Sequence, residues 1–139
     1  MARPSGPLTR CGGRWTQARF NSFVTSALRQ ASRRWAPLND VQKEARVRRG
    51  IYLCAHCKEE VPASTRDGRK RVKNVFVDHI KPIVNPETGF TSWDEYVDSI
   101  FCEEDNLQVL CKSCHDTKSN EERATSARTR AIRKEEDGK

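Results

Sequence analysis

The sequence predicts a small domain of the α+β class, preceded by a basic helical extension at its N-terminus. Apolar residues recur at helical spacing in the first third of the chain, from about residue 14 to residue 35. Two short runs rich in β-branched residues, 75–80 and 107–110, indicate strands in the middle of the chain. A long polar helix is predicted from residue 112 to about residue 134.

The chain of 139 residues has the length of one ordinary domain with an appended arm. Only 35% of its residues are hydrophobic and 32% are charged, so we expect a thin core. Small polar domains usually need a disulfide or a metal to be stable alone. Six cysteines are available for such a cross-link.

The N-terminal part divides into an arm and a helical extension. Residues 1–13 are rich in Gly, Pro and Arg and predict a flexible basic arm. The basic helical extension covers residues 14–50, and its first helix has apolar residues three and four positions apart. This spacing predicts that the aromatic residues of the helix lie in a core, with base stacking as the alternative. These aromatic residues are Trp15, Phe20, Phe23 and Trp35.

A second, shorter helix is predicted after the first. Pro37 ends the first helix, because a proline ring does not fit a helix interior. Asn39 or Asp40 can cap a short basic helix that runs to about Arg49, and Gly50 is its expected stop.

The remaining chain predicts a domain over residues 51–134 and a frayed tail over residues 135–139. The first part of the domain, residues 51–73, predicts a knuckle and then a hairpin that turns at Asp67-Gly68. The elements expected next are a strand over 75–80, a loop over 82–89, a helix over 91–101, a strand over 107–110 and the helix from 112. The apolar side of the helix over 91–101 is expected to pack on the domain, with its acidic residues in solvent.

Positive charge is concentrated at the N-terminus. The net charge is +7, and residues 1–50 contain eleven Lys and Arg against two Asp and Glu, whereas residues 51–110 contain seven against eleven. This asymmetry favours a polyanionic partner. The expected phosphate-contacting residues lie in the extension and in a second patch just before the strand over 75–80. They are Arg29, Arg33 and Arg34 in the extension and Arg69, Lys70, Arg71 and Lys73 in the patch, which begins at Arg66.

Neither secretion nor a membrane location is indicated by the sequence. Its start lacks the apolar run of a secretory signal, and no stretch approaches the length needed to span a bilayer. We therefore expect a reducing, cytoplasmic setting, in which paired cysteines favour a metal over disulfides.

Two knuckles of identical spacing, Cys54-Ala-His-Cys57 and Cys111-Lys-Ser-Cys114, are separated by 53 residues. Zinc prefers four ligands in a tetrahedron, and each C-x2-C turn presents two thiolates to one side. The sequence therefore predicts a structural zinc site with four cysteine ligands. Disulfides or unrelated buried cysteines are the alternative, and His56 is expected at the surface.

Five further residues occur in order around the knuckles. Asp78 and His79 end the first predicted strand, Asn106 precedes the second, His115 follows the last zinc cysteine, and Lys118 lies one helical turn further on. Together with the knuckles, this arrangement resembles the HNH (His-Asn-His, or ββα-metal) endonuclease family over about half of the chain. Among its members it is similar to stand-alone proteins encoded by bacteriophages and prophages. The resemblance implies a small ββα-metal core.

The resemblance also implies an activity, the metal-dependent hydrolysis of DNA phosphodiester bonds to a 5′-phosphate and a 3′-hydroxyl. Histidine titrates near neutral pH, which suits the general base that deprotonates water, and His79 takes this role. Asp78 and His115 bind one divalent cation, with Mg²⁺ or Mn²⁺ expected first and Ni²⁺ or Zn²⁺ compatible with the same ligands. Asn106 either orients the loop of the base or joins the metal shell, and Lys118 contacts a phosphate or leaving oxygen.

Two other functions stay open at this point. One is a zinc-stapled nucleic-acid-binding or adaptor protein without catalysis, and the other is an RNase. The joint presence of Asp78, His79 and His115 favours the DNA endonuclease, whose expected partner is double-stranded DNA with weak sequence specificity. Members of this group act in the bacterial host cell in genome packaging, homing or attack on competing DNA, and a phage packaging protein or another protein is a further partner compatible with the group.

Overall fold

The structure, a computed structural model, describes residues 6–138 and divides into two units between Arg34 and Trp35. The predicted α+β class is confirmed, since helices and small antiparallel sheets occur together. The α-helices are α1 (Gln17–Ser32), α2 (Ala36–Ala45), α3 (Trp93–Ile100) and α4 (Lys112–Asp137).

Within residues 6–138, the strands pair in four antiparallel sheets. The sheets are β1 (Leu8–Arg10) with β2 (Trp15–Thr16); β3 (Arg46–Arg48), β4 (Ile51–Leu53) and β5 (Glu60–Pro62); β6 (Ser64–Asp67) with β7 (Lys70–Lys73); and β8 (Val75–His79) with β9 (Leu107–Cys111).

The first unit contains a hairpin where the sequence predicted a flexible arm. Strands β1 and β2 pair across a turn in which Gly12 and Gly13 adopt positive φ angles of 62° and 81°. The hydroxyl of Thr16 then accepts a hydrogen bond from the Arg19 N–H at 3.1 Å and caps α1. Helix α1 therefore begins three residues later than predicted. Residues 1–5 of the expected arm lie outside the described residues.

The aromatic residues of the first unit, Trp15 in β2 and Phe20 and Phe23 in α1, do not form the predicted core. Helix α1 has no buried residue, and Phe23 is 60% exposed. Trp15 meets Phe23 edge to face with ring centroids 5.3 Å apart, and the guanidinium of Arg10 lies 4.3 Å from the ring centroid of Phe20. A unit of this size has too few residues to enclose a helix, so the prediction of a core was wrong for α1. Trp35, in the second unit, is half-buried and packs on Phe101 with ring centroids 5.5 Å apart.

Helix α2 begins and ends earlier than predicted. Trp35 is its N-cap residue and Pro37 lies in the first turn. The backbone N–H groups of a first turn have no intrahelical acceptor, so a proline, which lacks this N–H, is tolerated there. Asn39 and Asp40 are consequently inside the helix and do not cap it. The helix ends at Ala45, four residues early, because the next residues pair with β4 as β3.

The core of the second unit lies between α2 and the pair β8–β9. Its buried residues are Val41 from α2, Val75 from β8, and Leu107 and Val109 from β9. The sequence assigned α2 to the basic extension, ending at residue 50. In the structure, α2 belongs to the second unit, because its apolar side packs on β9.

Helix α4 packs against β8 and β9 as well. Phe76 and Asp78 contact α4, whereas Val75 and Val77, which alternate with them along the strand, face the core shared with α2. The helix continues to Asp137, through part of the tail that was predicted to fray. No helix within residues 6–138 combines the length and the apolar character needed to cross a membrane.

Helix α3 packs as predicted. Tyr96 and Ile100 are 3% and 1% exposed, while Asp94, Glu95 and Asp98 are exposed. The loop before α3 is tied to α4, since the Thr129 hydroxyl donates to the carbonyl of Pro86 at 2.9 Å.

Candidate functional site

The four knuckle cysteines converge in the structure. The Sγ atoms of Cys54, Cys57, Cys111 and Cys114 all lie within 4.8 Å of one another, and the thiols are free. A tetrahedral zinc ion bound at about 2.3 Å brings its sulfur ligands to about 3.8 Å from one another. The predicted four-cysteine cluster is therefore confirmed as a group that can hold a zinc ion.

Local backbone geometry forms this cluster. Lys58 adopts a left-handed φ of 63°, and its N–H donates to the carbonyl of Cys54 at 3.0 Å, which closes the first knuckle. The N–H of Ala55 donates to the carbonyl of Val109 at 2.8 Å and ties the knuckle to β9. The N–H of Cys111 points at the sulfur of Cys54, 3.4 Å away.

The pKa values of two cysteines in this cluster are shifted in opposite directions. Burial raises the pKa of Cys54, but hydrogen bonds from the backbone of Cys111, Cys57 and His56 outweigh it and lower this pKa to about 6. The neighbouring sulfur of Cys111, together with burial, raises the pKa of Cys114 to about 12. One sulfur of the cluster thus favours the thiolate that a zinc ion needs, and a bound cation would favour it in the others.

A second polar cluster lies at the end of β8 and joins three of the predicted residues. The ammonium of Lys118 lies 2.8 Å from Oδ2 of Asp78 and 2.8 Å from Oε1 of Glu122. It also donates to the backbone carbonyl of His79 at 2.8 Å. The side chain of Gln108 donates to the same Oδ2 of Asp78 at 3.0 Å.

The Lys118 contacts are partly shielded from water, since the side chains of Lys118 and Asp78 are 25% and 12% exposed. Burial lowers the pKa of Lys118, but the hydrogen bonds and charges of Asp78 and Glu122 outweigh it and raise this pKa above its ordinary value. Lys118 is therefore a fixed cation that neutralises the end of β8.

The ring of His79 faces α3. Its Nε2 lies 3.3 Å from the carbonyl oxygen of Ile100. A carbonyl can only accept, so this contact is a hydrogen bond in the tautomer that carries its proton on Nε2. In the neutral ring, Nδ1 is then left as a proton acceptor.

The side chain of Asn106 holds the turn that follows β8. Its Oδ1 accepts from the N–H of Lys81 at 2.9 Å, and its Nδ2 donates to the carbonyl of Lys81 at 3.3 Å. The backbone carbonyl of Asn106 accepts from the N–H of Ile80 at 2.8 Å. Both ends of the amide are thus used to fix the chain directly after His79.

His115 packs on Phe76 in the first turns of α4. The two rings are stacked, with centroids 4.5 Å apart and planes 12° apart. Nδ1 of His115 is buried and has no hydrogen-bond partner within residues 6–138; the nearest carboxylate oxygen, from Asp116, is 3.8 Å away.

The structure does not gather Asp78, His79 and His115 into one ready-made ligand set. Among the residues described, the four cysteines are the only group of three or more metal-ligating side chains that converge. A cleft of about 390 Å³ lies beside this region, and its lining includes Gln108, Lys118 and His56. His56 is exposed, as predicted.

The predicted DNA-contacting residues lie in both units. Arg29, Arg33 and Arg34 are exposed at the end of α1. The patch residues belong to the hairpin β6–β7, which is confirmed; its two turn residues are Gly68 and Arg69, one position later than the predicted Asp67-Gly68. The exposed patch residues are Arg69, Lys70, Arg71 and Lys73.

Three residues that contact the predicted site residues were missed by the sequence analysis, and each had a signal. Gln108 lies opposite Asp78 in the register of β8 and β9, and Glu122 is four residues after Lys118 on α4. Phe76 is two residues before Asp78 and shares its face of β8.

Comparisons of the chain with models of protein families, with curated proteins and with solved structures gave no match.

Proposed function

We propose that this chain is a metal-dependent DNA endonuclease of the HNH type, which hydrolyses phosphodiester bonds. The observation that carries the proposal is the cluster at the end of β8. There, Lys118 contacts both the Asp78 carboxylate and the His79 carbonyl, and Asn106 fixes the next turn. The cluster is formed by two antiparallel strands and the helix that follows them.

His79 is the proposed general base. A base must be held in one tautomer and must leave its acceptor nitrogen free to take a proton from water. The hydrogen bond from Nε2 to the carbonyl of Ile100 meets the first requirement and leaves Nδ1 as the acceptor.

Asp78 and His115 are the proposed ligands of one divalent cation. Their donors, a carboxylate oxygen and an imidazole nitrogen, fit Mg²⁺ or Mn²⁺ and also accommodate Ni²⁺ or Zn²⁺. The buried Nδ1 of His115 has no hydrogen-bond partner in the described part of the chain, which is consistent with a nitrogen that binds a cation. When bound, such a cation neutralises the negative charge that develops on the phosphate and the leaving oxygen.

Lys118 and Asn106 complete the proposed site. Lys118 is proposed to transfer its hydrogen bonds from Asp78 to a phosphate oxygen when DNA binds. Asn106 is proposed to orient the base and to remain outside the metal shell, because Lys81 already uses both ends of its amide. The four cysteines are proposed to hold a structural zinc ion that fixes the start of α4 against β9.

The test is cleavage of supercoiled plasmid by the full chain with Mg²⁺ or Mn²⁺, compared with the same reaction without added metal and with EDTA. We expect nicked or linear DNA only with the metal. His79→Ala should lower the rate about 10²–10⁴-fold at unchanged zinc content and unchanged Tm. His56→Ala is the matched control, since His56 is exposed and has no role in the proposed chemistry.

The second candidate is a zinc-stapled nucleic-acid-binding or adaptor protein without catalysis. One observation favours it: Asp78 is already neutralised by Lys118, as in a purely structural ion pair. Under this alternative, DNA is retarded but not cut with any metal, and His79→Ala behaves like the wild type. That result would overturn the endonuclease proposal.

A further inference from the structure

The hairpin β6–β7 is a two-stranded ribbon with two different faces. Successive side chains of a strand point to opposite faces, and paired residues share one face. Arg66, Arg71 and Lys73 therefore lie on one face, which we call the basic ribbon face. Lys70 lies on the other face, directly opposite Asp67.

The charge of the basic ribbon face is not balanced within the described residues. Arg66 and Arg71 are direct cross-strand partners, and like charges in this position destabilise a hairpin. All three cations are exposed, and none forms an ion pair within residues 6–138. The guanidinium of Arg71 donates to the hydroxyl of Ser64 at 2.8 Å. An external polyanion would relieve this repulsion.

The basic ribbon face continues into the proposed site. The ammonium of Lys73 lies 5.1 Å from the ring centroid of Phe76, and the same ring stacks on His115. The ribbon is also held at its base, because the N–H of Asn74 donates to the carbonyl of Ala63 and its carbonyl accepts from the N–H of Lys112. The direction of the ribbon is thus fixed relative to the first turn of α4.

We propose that the basic ribbon face enters the major groove of double-stranded DNA beside the bond to be cut and contacts its phosphates. The major groove is about 12 Å wide and admits a two-stranded ribbon. Four residues per strand span roughly 13 Å, which matches one crossing of the groove. This inference rests on the proposed function for the position of the bond. It also divides the predicted basic patch, because Arg66, Arg71 and Lys73 form the contact surface, whereas Arg69 and Lys70 do not.

The test compares two double variants of the same hairpin with the same loss of charge. Arg66→Ala/Arg71→Ala removes the basic ribbon face, and Arg69→Ala/Lys70→Ala removes charge from the turn and the other face. Both are made in the full-length chain that carries His79→Ala. Binding to a duplex of about 20 base pairs is measured without added metal at salt concentrations from about 50 to about 300 mM, over which phosphate contacts strongly affect the affinity.

We expect the first variant to bind about tenfold or more weakly at about 0.1 M salt, with a salt slope reduced by about two. Arg69→Ala/Lys70→Ala should lose clearly less affinity. Equal losses of affinity in the two double variants, or no loss in Arg66→Ala/Arg71→Ala, would overturn the proposal. An equal loss of affinity for single-stranded DNA, measured in the same way, would overturn it as well. Arg66→Lys/Arg71→Lys, which keeps the charge, should restore most of the affinity and shows that a loss is not due to misfolding.

This result is independent of cleavage. If the duplex binds through the basic ribbon face but plasmid is never cut, the endonuclease proposal fails and the binding face remains. If plasmid is cut and the two variants bind alike, the endonuclease proposal remains and the binding face fails.

Discussion

The cysteine cluster and the end of β8 are both polar sites, but their side chains are held differently. The sulfurs of the cluster converge within 4.8 Å of one another. At the end of β8, in contrast, Asp78 already has Lys118 and Gln108 as partners. The first site is organised to receive an ion directly. The second is neutralised by the protein itself, so a ligand there has to exchange with existing partners.

The difference follows from how each site is built. Two C-x2-C turns provide the cysteines, and the first turn is closed by the backbone hydrogen bond of Lys58 to Cys54. Asp78 and His115 come from separate elements that meet only when α4 packs on β8. Partly buried carboxylates are costly without a partner, and Lys118 supplies one.

The largest expected effect is the loss of the zinc site. Cys111→Ser should abolish zinc binding and unfold the second unit, because structural zinc contributes on the order of 10 kcal/mol to folding and Cys111 is also part of a small core. Zinc content by elemental analysis and far-UV circular dichroism measure the two effects.

The matched control is Cys102→Ser, since Cys102 is half-buried and lies outside the cluster. It should keep one zinc per chain. A Cys111→Ser protein that still binds zinc and melts at the wild-type Tm would show that the cluster does not stabilise the fold.

A smaller effect is expected from the ion pair at the end of β8. Lys118→Met should lower the free energy of unfolding by about 1.5–3 kcal/mol, because it leaves the partly buried Asp78 without its cation. Lys112→Met is the control on the same helix: its pair with Asp116 is exposed and should contribute less than about 1 kcal/mol. Urea unfolding compares the two, and equal losses would contradict the distinction between a shielded and an exposed pair.

The pH dependence of this ion pair follows from the raised pKa of Lys118. A raised pKa in the folded state means that the stabilisation is complete below the ordinary pKa of a lysine and is lost as the pH rises through the folded value. The difference in unfolding free energy between the wild type and Lys118→Met should therefore be constant from about pH 7 to about pH 9 and shrink at higher pH. Urea unfolding at a series of pH values measures it, and a difference that grows above about pH 10 would contradict the raised pKa.

The smallest expected effect concerns the turn after β8. Asn106→Ala removes two hydrogen bonds to the backbone of Lys81 and should cost about 1–2 kcal/mol. Hydrogen exchange of the Lys81 amide should become faster. Asn39→Ala, at an exposed position, is the control. Unchanged exchange at Lys81 would mean that Asn106 does not hold the turn.

Much of the second unit could be predicted from local patterns. The strand over 75–79, the turn of the hairpin β6–β7 and the amphipathic helix α3 all follow from residue spacing and turn residues. The bounds of α2 could not be predicted in this way, since pairing between β3 and β4 competes with the end of the helix. The exposure of Phe23 could not be predicted either, because helical spacing does not say whether a partner surface exists.

The sequence by itself determined the cysteine cluster, because each C-x2-C turn provides two thiolates and a tetrahedral zinc ion needs the four thiolates of both turns. It also determined the order of Asp78 and His79 at the end of β8, Asn106 directly before β9, and His115 in α4. Only the tertiary structure decided the partners of these side chains. The pairing of Asp78 with Lys118, 40 residues apart, and the stacking of His115 on Phe76 depend on how α4 packs on β8. Such contacts arise from long-range packing, which no local pattern of residues encodes.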